Sequence, residues 1–80
     1  MTRIEFTLPR PYFAAGHYNP KIRAAIKQWA DHHKITVDEY RISATADYKM
    51  YLEFDDDKYL TLWALSWNKP DLPNWSMIPV

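Results

Sequence analysis

Tyr48-Lys-Met-Tyr-Leu-Glu-Phe-Asp-Asp-Asp-Lys-Tyr-Leu-Thr-Leu-Trp-Ala-Leu-Ser-Trp67 is the stretch whose reading decides the fold. Its first part alternates as a strand does, with Tyr48, Met50, Leu52 and Phe54 on one face and Lys49, Tyr51 and Glu53 on the other. The triplet Asp55-Asp56-Asp57 breaks that period. After it Leu60, Trp63, Ala64 and Trp67 fall on one stripe, which predicts a helix over residues 57–67 with Asp55 or Asp56 as its N-cap. Tyr59, Thr61, Trp63, Leu65 and Trp67 also alternate, and their propensities do not exclude a strand. The helix is preferred because it gives the aspartates a role.

Upstream, Tyr40 to Ala44 reads as a strand joined to Tyr48–Phe54 through a turn at Thr45-Ala46-Asp47. Asn19-Pro20 reads as a helix start, Asn as N-cap and Pro at the first helical position. Ile22, Ala25, Ile26, Trp29, Ala30 and His33 then follow the apolar series of a helix over 20–34. Residues 2–8 alternate, Ile4, Phe6 and Leu8 inward, and Pro9 ends that strand. Residues 9–18, with two prolines and the only glycine, Gly16, read as an aromatic-rich loop. Its rings either cap one end of the core or face a partner. From Asn68 the prolines 70, 73 and 79 make a tail that lies over the domain or adds a short edge strand near Ser76–Ile78.

The expected fold class is α+β: a ferredoxin-like βαββα(β) two-layer sandwich, an antiparallel sheet with two helices on one face. Residues 1–67 form the single domain and 68–80 the proline-rich tail. The sheet face away from the helices would carry Arg3, Glu5, Thr7, Arg41, Ser43, Lys49, Tyr51 and Glu53.

A chain of 80 residues makes one small domain. At that size only about 60% of the unfolded surface is buried. The apolar content of 48% and the aromatic content of 16% compensate. Large rings bury much area each, so a folded domain is expected. Net charge is zero, against the basic excess of general nucleic-acid binders. Without cysteine there is no disulfide, thiolate nucleophile or cysteine-based zinc site. No apolar run reaches the roughly 18 residues of a membrane span, and Arg3, Glu5 and Arg10 interrupt any signal-peptide core. A cytoplasmic protein is the expectation.

No constellation for catalysis emerges. Asp31, His32 and His33 are sequence neighbours that point in different directions on a helix, and His17 belongs to its other end. The aspartate triplet lacks the glycine and distal glutamate of a calcium loop. Ser43, Ser66 and Ser76 have no elbow motif around them, and one glycine makes no phosphate cradle. Neither enzyme activity, metal nor cofactor is expected. Lys21 and Arg23 in the first turn of the 20–34 helix oppose its dipole, which fits either an anion site with Arg10 or tolerated surface charge.

What remains is an excess of large aromatics: four tryptophans and six tyrosines. Trp29, Trp63 and Trp67 read as core. Tyr12, Phe13, His17, Tyr18, Tyr51 and Trp75 are the candidate partner-binding residues, Tyr and Trp being enriched at binding hot spots.

The strand ending Leu52-Glu53-Phe54, the acidic break and Leu60-Thr-Leu-Trp-Ala-Leu-Ser-Trp67 together resemble small uncharacterised accessory proteins of tailed bacteriophages. The resemblance covers residues 50–67 and is a packing motif that carries no catalytic residues. It implies an accessory phage protein that binds and modulates a host protein. The expected function is thus a small non-enzymatic protein-binding module. The alternatives are a single-stranded nucleic-acid-binding domain using the open sheet face, and a homo-oligomeric structural or assembly protein. No membrane partner is expected.

Overall fold

The computed structural model describes residues 2–10, 12–45 and 47–79, with residues 12–14 described by backbone alone. In chain order the elements are β1 (Thr2–Thr7), α1 (Tyr12–His32), β2 (Tyr40–Ala44), β3 (Lys49–Phe54), α2 (Lys58–Ser66) and β4 (Trp75–Pro79), with a single 3-10 turn at Val37–Glu39 before β2. The four strands form one sheet in the order β2-β3-β1-β4, every neighbouring pair antiparallel. β1 and β3 are therefore central, β2 and β4 are the edges, and each helix connects strands that are not neighbours.

Strand alternation sorts the side chains as the sequence requires. Ile4, Phe6, Met50, Leu52 and Phe54 point to one face and are buried. Both helices lie on that face. Ile22, Ile26, Trp29 and Ala30 of α1 and Leu60 and Trp63 of α2 are buried with them, as is Trp67 just beyond α2. Trp63 is the hub: fully buried, it stacks on Trp67 with centroids 4.1 Å apart and meets Phe6, Trp29 and Trp75 edge-on at 5.0–6.0 Å. Its indole Nε1 is buried without a hydrogen-bond partner, so it is held by ring packing alone. Trp29 ties the two helices together, because its Nε1 donates to Ser66 Oγ at 2.7 Å and Ser66 in turn donates to the Leu62 carbonyl at 2.6 Å.

Residues 58–66 are helical, so the aspartate triplet does sit at a strand-to-helix joint, though not with the expected cap. Asp55 accepts from Arg41 at 2.9 Å instead of capping the helix. Asp56 accepts from the Lys58 amide at 3.0 Å, and Asp57 occupies the N-cap position without a side-chain bond. Ala64, expected on the buried stripe, is exposed. Tyr48 lies outside β3, with a left-handed φ of 61°. The turn Thr45-Ala46-Asp47 falls partly outside the described residues. Its ends are joined by the Thr45 amide donating to the Lys49 carbonyl at 2.9 Å.

The largest correction concerns residues 9–20. They do not form a long loop before a helix that starts at Asn19-Pro20; α1 already runs from Tyr12 and contains Pro20. Asn19 is not a cap, since its Oδ1 accepts from Arg23 Nε one turn on, at 2.8 Å. Pro20 cannot donate to the Gly16 carbonyl, and its ring presses toward that group. Gly16 is exposed, and a Cβ placed there would meet nothing within 4 Å. A larger side chain would therefore fit at Gly16. With α1 beginning at Tyr12, Lys21 and Arg23 lie mid-helix, which removes the helix start that the anion-site alternative required and leaves the reading of tolerated surface charge. At the other end Lys34 takes the left-handed position, φ 59°, and the Ile35 amide donates to the Ala30 carbonyl at 2.8 Å. That is a helix ending more often filled by glycine.

Candidate docking grooves at the end of the sheet

α1 is much longer than the strands it covers. Beside its N-terminal half two grooves open, and Leu8 lines both of them. The first, about 570 Å³, is walled by Leu8 and Pro9, by Tyr18 of α1, and by Leu72, Pro73 and Trp75. The second, about 470 Å³, lies between Ala15, Gly16 and Pro20 of α1 and the hairpin residues Ala44 and Tyr48. Both are of a size to hold a bound group, and their walls mix apolar and polar surface, the first adding Glu5, Thr7, Asp71, Asn74 and Ser76 to its apolar side chains.

The wall of the first groove is stiff for a reason visible in the chain. Lys69-Pro70-Asp71-Leu72 is a turn closed by the Leu72 amide donating to the Lys69 carbonyl at 3.1 Å. Pro70 stands in its second position, where the fixed φ fits. Pro73 follows immediately. A wall held this way loses little freedom when something docks on it. Glu5 and Asp71 bring carboxylates to the groove, and no Lys or Arg lines it. Glu5 is shared with Lys49 at 3.5 Å, whereas Asp71 has no ion-pair partner among the described residues.

The second groove borders a strained residue. Tyr48 holds its left-handed backbone while its carbonyl accepts from the Leu8 amide at 2.7 Å and its ring lies 4.9 Å under the Arg10 guanidinium. Those contacts offset a backbone cost of about 1 kcal/mol.

The six candidate partner-binding residues do not form one patch. Tyr18 and Trp75, chosen from opposite ends of the chain, share the first groove, both half-buried. His17 is exposed beside Tyr18, ring centroids 5.4 Å apart. Tyr12 and Phe13 begin α1, and their side chains lie outside the described residues. Tyr51 is elsewhere, on the open sheet face, where the Arg3 guanidinium covers its ring at 3.8 Å. Leu8, Leu72, Pro73 and Asp71 were not singled out from the sequence. Leu72 among prolines was a weak signal that the tail packs.

The open face is internally paired. Arg3 meets Glu53 at 3.7 Å, Lys49 meets Glu5 at 3.5 Å and Arg41 meets Asp55 at 2.9 Å. Near the β2 edge, Glu39 accepts from the Thr36 amide at 2.9 Å and from the Tyr59 hydroxyl at 3.1 Å. Those two bonds hold its carboxyl below the usual carboxylate range. Removal from water, then the nearby Glu39, pushes the Tyr59 phenol up.

Among the described residues no helix is long and apolar enough to cross a membrane, and no group of three or more His, Asp or Glu side chains is placed to hold a metal ion. Compared with known proteins, the chain matches no family model, no curated protein and no solved structure.

Proposed function

We propose that this protein is a non-enzymatic binding module that docks a protein partner at the end of the sheet, through the groove between Tyr18 and Trp75. One observation carries the reading. Two aromatics far apart in sequence, each half-buried, wall the same concave site together with a proline-stiffened turn. Half-exposed Tyr and Trp beside a preformed groove is the arrangement of a hot spot. The likeness of residues 50–67 to phage accessory proteins supports a host protein as the partner and the host cytoplasm as the location. The strand order, with β1 and β2 separated by β3, supports reading the sandwich as a split βαβ, ferredoxin-like arrangement.

Single-stranded nucleic acid on the open face draws less support. Arg3 and Lys49 face Glu53 and Glu5, and Tyr51 is covered by Arg3, so neither free charge nor a bare stacking ring is offered.

The test is affinity capture from host lysate with wild type, Tyr18→Ala and Asp71→Asn/Leu72→Ala, each checked for unchanged unfolding temperature. A partner recovered by wild type and lost by both folded variants supports the reading. A partner recovered equally by all three, or none recovered at all, counts against it.

A further inference from the structure

The two edges of the sheet are defended differently. β2 presents Arg41, engaged with Asp55 at 2.9 Å, and the neighbouring 3-10 turn adds Asp38 and Glu39. β4 reads Trp-Ser-Met-Ile-Pro, without one charged residue, and its Ser76, Met77 and Pro79 are exposed. Edge strands that are not meant to pair usually carry charge, most often lysine. β4 carries only Pro79, at its far end. Its first two residues, Trp75 and Ser76, also line the Tyr18 groove. The groove and the edge are therefore one continuous surface, acidic at the groove through Asp71, with Glu5 already paired to Lys49, and uncharged along the strand.

Resting on the proposed docking role, we infer that the partner is recognised through an extended basic segment, which adds as a fifth strand to the outer edge of β4 and seats an Arg or Lys side chain in the groove between Tyr18 and Trp75. Main-chain hydrogen bonds to an exposed edge supply affinity in strand addition, and the side-chain pocket supplies specificity. The long stem of Arg or Lys suits the apolar walls while its charged head reaches Asp71. An aromatic ring beside such a head adds cation–π attraction. An acidic segment would bring like charge to Asp71, and no Lys or Arg is among the described residues that line the groove. β4 has five residues. An edge of that length spans about 17 Å, enough for one short strand.

The experiment is a titration of isotope-labelled protein with two capped heptapeptides, one alternating valine with arginine and one alternating valine with glutamate. The arginine peptide is expected to shift the amides of Ser76, Met77 and Ile78 and the Trp75 indole. The glutamate peptide, and Asp71→Asn with the arginine peptide, are each expected to bind about tenfold more weakly, as loss of one charge-assisted contact does. Three results would each overturn the inference: no β4 shifts at about millimolar arginine peptide, equal binding of both peptides, or sedimentation showing a dimer whose β4 amides are already protected by a second copy. Failure here leaves the docking role standing if captured partner still depends on Tyr18 and Leu72. Conversely, peptide binding at β4 with capture independent of those residues would defeat the docking role alone.

Discussion

The two halves of α1 are built from the same helix and do different work. From Ile22 to Ala30 one side of the helix is sealed against the sheet, and Trp29 is fastened to α2 through Ser66. From Ala15 to Pro20 the helix has a glycine with nothing beside it and a proline that removes a backbone bond. On either side of this half lies an open groove. The C-terminal half has committed one whole side to the core; the N-terminal half buries Ala15 and part of Tyr18 and leaves the rest of its surface open. In a domain this small, stability and recognition are thus separated along one element. The sequence shows the reason, since residues 22–30 keep a helical apolar period and residues 9–18 do not.

The largest effect that would break this comparison lies in the sealed half's partner layer. Trp63→Ala removes the ring that Phe6, Trp29, Trp67 and Trp75 surround. It is expected to cost about 3–5 kcal/mol in chemical denaturation, a large share of the stability of a small domain. A loss well under that range would mean the aromatic cluster does not hold the fold. Ser66→Ala leaves the Trp29 indole without its acceptor. That change is expected to cost about 1–3 kcal/mol. In the open half the sign reverses. Pro20→Ala restores a donor for the Gly16 carbonyl and is expected to stabilise by about 1 kcal/mol, and Gly16→Ala by about 0.5–1 kcal/mol. If Asn19-Pro20 instead began the helix, Pro20→Ala would be neutral or destabilising, so the same denaturation curve separates the two descriptions.

The smallest effect is read from pH. The Thr36 amide and the Tyr59 hydroxyl hold the Glu39 carboxyl below its ordinary range. A lowered folded-state value means the stabilisation is present above the ordinary carboxylate range and is lost as pH falls through the folded value. The stability difference between wild type and Glu39→Gln is therefore expected near neutrality and to close in acid. A difference that grows on acidification contradicts it.

Much of the fold was legible because two periods were clean. Ile4 and Phe6, then Met50, Leu52 and Phe54, repeat every second residue, and all five are buried. Ile22, Ile26, Trp29 and Ala30 repeat as a helix does, and all four are buried. The N-terminal half of α1 was not legible, because Asn-Pro is a helix-start signal and the residues before it lack an apolar period. The tyrosine and tryptophan of the candidate site stood out by type. Their meeting did not, because it depends on β4 pairing beside β1 and on the Lys69–Leu72 turn folding back, both set by tertiary packing. Asp71 carried no signal at all: one aspartate after a proline is ordinary turn chemistry.

Native-state hydrogen exchange tests the division of α1 most directly, because it reads local opening residue by residue. The amides of Ile26, Trp29 and Ala30 are expected to exchange only through global unfolding, with the slope on added denaturant that this implies. The amides of His17, Tyr18 and Asn19 are expected to exchange through a smaller opening at distinctly lower free energy. If both sets exchange together at the global value, α1 is one uniform element, and the separation of a stabilising half from a recognising half is wrong.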